Sequence, residues 1–137
     1  MQPYSNTTVL TGPVAPVDDT PFGDVIADTA GVHAGIDLIR EGLLLLATDH
    51  LPLDRIPTIL ATLAGGADGT DQAPDLLTAI GHLVARLSDP AANQVLLDLP
   101  EQRQKDVERQ GEQALYRLTD PWLREPASEA AALIDGI

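Results

Sequence analysis

The stretch DVIADTAGVHAGIDLIREGLLLLATD, residues 24–49, decides the fold. Phe22, Val25, Thr29, Val32, Ile36, Ile39, Leu43 and Leu46 recur at steps of three and four. That spacing is one face of a helix and approximates a heptad seam. Ile26, Leu38 and Leu45 lie off the seam and widen it, and at residues 43–46 apolar side chains point in every direction. A helix end of that kind is expected to be enclosed by neighbours. The spacing therefore predicts a scaffold helix on which the others pack, with residues 43–46 the most buried point of the domain.

Unbroken, 26 residues would span about 39 Å. A domain of this length has a diameter of roughly 37 Å. The helix therefore crosses the whole domain or breaks. Gly31, Gly35 and Gly42 are the weak points, each costing about 1 kcal/mol relative to alanine inside a helix. Gly31 and Gly35 allow two readings: two shorter helices joined near Gly31, or a close crossing of a second helix over the shared glycine face. The segment is not expected to span a membrane. Asp37, Arg40 and Glu41 interrupt it, and a span needs about 20 apolar residues.

The rest of the chain is read from this helix outward. Ahead of it, residues 1–21 carry Pro3, Pro13, Pro16 and Pro21. Helix is disfavoured there, and the expectation is an extended arm over 1–21 before a single helical domain over 22–137. Asp19 or Thr20, followed by Pro21, is a helix start signal. After the helix, His50-Leu51-Pro52 is a break. Asp54 is expected to cap a second helix with Ile56, Ile59, Leu60 and Leu63 inward, ending at Gly65-Gly66. GGADGTDQ is a flexible loop. Asp71 or Ala73, with Pro74, opens a third helix whose Leu76, Leu77, Ile80, Leu83, Val84 and Leu87 form one apolar stripe, stopped by Ser88-Asp89-Pro90. A short fourth helix from Pro90 to about Leu97 puts Val95 and Leu96 inward. Pro100 starts a fifth, mostly polar helix with Val107, Gly111, Ala114, Leu115 and Leu118 as its inward stripe, and Asp120-Pro121 stops it. Trp122 and Leu123 follow in a turn, and Pro126 starts a last helix. No segment alternates with period two. The predicted fold is an all-α, orthogonal or up-down bundle of five to six helices with an extended N-terminal arm.

Composition agrees and excludes functions. Aromatic residues make up 3% of 137 residues and hydrophobic residues 44%, so the core is aliphatic, which suits helices better than strands. The net charge is −13, spread along the chain rather than gathered in a tail. Direct binding of nucleic acid through phosphates needs a basic patch and is not expected. Cysteine is absent, so disulfide and thiol chemistry are excluded. No secretory signal pattern is seen at the N-terminus, and the cytoplasm is the expected location. One lysine against seven arginines, with abundant Ala and Leu, suggests a bacterial or phage origin.

Chemistry-bearing residues are few. His33, Asp37 and Glu41 lie four apart on one helix face and are candidate metal ligands, weighed against a solvated polar stripe. The Glu-x-x-His partner motif of carboxylate-bridged sites is missing. Asp49-His50 ahead of Asp54 is a candidate acid–base pair or an ordinary capping segment. His82 reads as a surface histidine sharing a face with Asp75 and Arg86. Ser5, Ser88 and Ser128 lack a nucleophile elbow, and GGADG lacks the Lys-Ser/Thr of a phosphate loop. Trp122 reads first as a core plug and second as an anchor for a partner. No catalytic residue, cofactor or metal is expected.

The expected function is a non-enzymatic protein-interaction or assembly module, an adaptor or structural component of a bacterial or phage complex. Its partner is a protein or a second copy, with Val9, Leu10, Val14, Tyr116, Trp122 and Arg124 as interaction candidates. The alternatives are an acidic inhibitor that mimics nucleic acid in a basic groove, and a small metal-dependent enzyme using His33, Asp37 and Glu41.

Overall fold

The computed structural model describes residues 14–65 and 75–135. The protein is an all-α bundle, with no strand among the described residues. Its helices are α1 (Pro21–Asp28), α2 (Ala34–Thr48), α3 (Ile56–Leu60), α4 (Leu76–Leu87), α5 (Glu101–Leu118) and α6 (Pro121–Ile134). Short α3 is extended by a 3-10 turn, Leu53–Arg55, before it and a π-helical turn, Ala61–Gly65, after it. A second 3-10 turn covers Gln94–Asp98. Contacts divide the chain into two compact units, Met1–Pro52 and Leu53–Ile137, which part at the break formed by His50-Leu51-Pro52.

In the first unit, the long apolar segment is two helices, which decides between the two readings of its glycines. Thr20 caps α1, its hydroxyl accepting from Gly23 N at 3.1 Å and donating to Val17 O. Pro21 follows at the first helical position, where its missing N–H costs nothing. Asp19 before the cap has φ 63°, and Gly31 after α1 has φ 78°. A left-handed residue cannot continue a right-handed helix, so the chain turns at Gly31 and restarts at α2. His33 is the new N-cap, with Nδ1 accepting from Gly35 N at 2.8 Å. Gly31 and Gly42 have open space where a side chain would stand, and Gly35 meets His33. Among the described residues of this unit, no second helix approaches these glycines. Two polar side chains hold the corner together. Asp37 accepts from Gly31 N at 3.1 Å and from Arg40 Nη1 at 3.0 Å, while Arg40 Nε donates to Ile26 O at 2.6 Å. Ile26 is the buried apolar residue of α1.

The expectation that residues 43–46 are the most buried point is corrected. No residue of α2 is buried, and Leu45 is 52% exposed. Periodicity shows which residues share a face, but a continuous run of leucines does not oblige neighbours to surround it.

In the second unit, α4 packs along α5. The crossing is close because both helices offer a buried glycine. A Cβ on Gly81 would stand 3.2 Å from Leu115 Cδ1, and one on Gly111 would stand 2.4 Å from Ser88 Cβ. The helix 53–65 packs on α6, with buried Gly65 lying against the backbone of Ala127 and Ser128.

Several boundaries correct the sequence reading. The cap of α4 is Asp75, whose Oδ1 accepts from Thr78 N at 2.8 Å; residues 71–74 lie outside the described residues. Asp54 does not cap α3. It sits in the 3-10 turn, and the N-cap Arg55 makes no side-chain cap bond. The segment after Pro90 forms a 3-10 turn rather than an α-helix, with Val95 67% exposed. The last helix begins at Pro121, not Pro126. Asp120 Oδ1 accepts from Trp122 N at 3.0 Å, and that cap followed by proline starts α6 with Pro126 inside it. Asp-Pro ends one helix and begins the next.

Candidate functional site

The candidate metal ligands are engaged elsewhere or exposed. His33 Nδ1 is taken up by the α2 cap, Asp37 by Gly31 and Arg40, and Glu41 is exposed. Among the described residues, no group of three His, Asp or Glu side chains is placed to hold a metal ion. Asp49 is the C-terminal cap of α2, its backbone N–H donating to Leu45 O at 3.0 Å, and its Oδ1 accepts from the His50 backbone N–H at 3.0 Å. His82 and Arg86 are exposed, whereas Asp75 is turned inward, so the three do not form a common polar face.

Asp75 is the buried polar residue of the described structure, at 4% exposure. While Oδ1 caps α4, Oδ2 lies 3.2 Å from Arg124 Nε. This is an ion-pair contact without hydrogen-bond alignment, since neither Oδ2 nor Nε has a hydrogen-bond partner. Arg124 also donates from Nη1 to Thr119 O at 3.1 Å. One arginine of α6 therefore ties the start of α4 and the end of α5 together. Its side chain is 12% exposed, so Arg124 is an internal strut and not the surface interaction residue expected from the sequence.

The other interaction candidates are placed differently. Tyr116 is 69% and Trp122 80% exposed, which removes the core-plug reading of the tryptophan. Trp122 is the second residue of α6, held there by the Asp120 cap. Val14 is half-buried, and Val9 and Leu10 lie outside the described residues.

The α4–α5 crossing leaves an open groove of about 350 Å³ lined by Val84, Ser88, Asp106, Val107, Gln110 and Gly111. Asp106 at its rim accepts from Arg109 at 2.8 Å and from Gln102 at 3.2 Å. Those bonds, the arginine's first, favour its charged form and hold its carboxyl below the ordinary value of 3.8. Ser88 and Gln110 are its other polar lining residues, and among the described residues no nucleophile or base pairs with Asp106 in it.

What distinguishes the surface is apolar area. Among the described residues, the buried apolar side chains are those of Ile26 and Ala131, while eighteen large apolar residues are exposed. The signal that sequence reasoning missed is the two-sided character of α4. Leu77 and Val84 are half-buried, and Leu76, Ile80, Leu83 and Leu87 are exposed. No helix is long and apolar enough to cross a membrane among the described residues. No known family matches the chain, and neither curated proteins nor solved structures give a match.

Proposed function

We propose that this protein is a non-enzymatic interaction or assembly module, a structural or adaptor part of a larger bacterial or phage complex in the cytoplasm. The observation that carries this reading is the imbalance between buried and exposed apolar side chains. Isolated exposed leucines are ordinary, but rows of them beside so few buried apolar side chains among the described residues are the mark of a surface that meets another. Tyr116 and Trp122 add two exposed aromatic residues, the type enriched where interfaces concentrate their binding energy.

Affinity capture of the chain beside its Trp122→Ala and Tyr116→Ala variants tests the reading. The expected result is a defined set of co-purifying subunits at fixed stoichiometry, reduced at least tenfold in one variant with the helical circular-dichroism signal unchanged. Recovery of the chain alone, with neither variant different, contradicts it. The inhibitor alternative draws on the charge of −13. It rests on charge alone, and the assembly reading, which has exposed apolar side chains behind it, is preferred.

A further inference from the structure

We propose that His33 makes the corner between α1 and α2 a pH-sensitive device, in which the neutral imidazole closes the first turn of α2 and protonation opens it. The device is independent of the interaction reading. His33 is the N-cap of α2, and its Nδ1 accepts from Gly35 N at 2.8 Å. A backbone amide only donates, so Nδ1 carries a lone pair and the ring proton of the neutral form sits on Nε2. A second proton can go only to Nδ1. Imidazolium then has an N–H at both ring positions and no acceptor left. Cap bond and second proton therefore exclude each other. Serine, threonine and asparagine, common residues at this position, keep their acceptor whatever the pH. Histidine is the side chain that ordinarily changes charge between about pH 5 and 8. Its new charge also falls at the positive end of the helix, where cations are disfavoured.

The first turn of α2 has little else to hold it. Gly35 stands at its second position, and glycine is the poorest helix former after proline. Ile36 stands where the glutamate or glutamine of a capping box would be. His33 is exposed, so protons reach it freely. The charged side chains of this corner are Asp24 and Asp28 on α1 and Asp37, Arg40 and Glu41 on α2. Among the described residues, none of these carboxylates forms an ion pair with His33. Asp37, the charged group of the first turn, has its Oδ1 engaged by Gly31 N and Arg40 Nη1. The closed corner thus offers the imidazolium no ion-pair partner, and acid shifts the population toward the open one. The opening is local. Arg40 still donates to Ile26 O beyond the turn, so residues 33–36 unwind while α1 stays tied to α2.

The test is an NMR titration of the full chain from about pH 8 to about pH 5. At the upper end the ring-nitrogen resonances of His33 are expected to show the Nε2–H form. As the pH falls, the Gly35 amide and the carbon shifts of residues 34–36 are expected to move together toward coil values. The open-to-closed ratio rises about fivefold, which is the loss of one ordinary side-chain cap. His33→Asn keeps an acceptor that does not titrate, and it is expected to hold residues 34–36 helical at both ends of the range. Residues 34–36 unmoved across the range in the unaltered chain overturn the proposal. So does the same movement in a folded His33→Asn chain. If that variant does not fold, the unaltered chain still decides, because an Nδ1–H form at the upper end also overturns it.

Discussion

Asp75 is where single residues matter most for stability. Its carboxylate is fully buried, caps α4 and lies against Arg124. Removing one member of a buried ion pair strands the other, at a cost of about 3–5 kcal/mol. Asp75→Ala is expected to lose that much in urea unfolding, and adding Arg124→Met is expected to recover part of it. Equal loss in the double variant would show that the cap, not the pair, carries the effect. Gly111 is the second such position. A Cβ there would stand 2.4 Å from Ser88 Cβ. Gly111→Ala is expected to cost about 1–3 kcal/mol by overpacking, and Ser88→Gly to restore it. Neither feature was legible from the chain. Asp75 and Arg124 are far apart in sequence, and nothing local marks a pairing. The spacing places Gly111 in an inward stripe and does not mark it as the point of closest approach. Asp106 offers a smaller test. Its folded value is depressed, so the stabilisation is present above the unfolded value of 3.8 and is lost as pH falls through the folded one. Arg109→Gln is expected to raise the Asp106 midpoint in an NMR titration, and an unmoved midpoint contradicts the assigned cause.

At the scale of elements, local start and stop chemistry was legible and helix faces were not. Thr20-Pro21, the stop after Leu87, Pro100 before α5 and the end of α5 before Asp120 all lie where cap and proline rules put them. Gly31 is a weak point in the sequence, yet whether it breaks a helix depends on a positive φ that sequence does not display. Pro126 misled because a proline normally opens a helix, and here the stronger Asp120-Pro121 signal had already opened one. The exposed Pro126 denies α6 the bond from residue 126 N–H to Trp122 C=O. Pro126→Ala is expected to stabilise the protein by up to about 3 kcal/mol in thermal unfolding; destabilisation would mean that the ring is needed where it sits. The stripe of α4 failed for another reason. Periodicity counted its six apolar residues as one face, whereas α5 covers one edge and leaves the other open.

At the scale of the whole molecule, composition foretold an aliphatic, all-helical protein, and the structure is one. It did not foretell how little of that apolar surface is enclosed. A chain that leaves Leu76, Ile80, Leu83, Leu87, Tyr116 and Trp122 open is expected to be at rest only when something covers them. The most direct test is native mass spectrometry of the untagged chain released gently from its own cells. The account predicts that it appears in an assembly heavier than its own 14.5 kDa, as paired copies or with other subunits. A free monomer at its cellular concentration would contradict it.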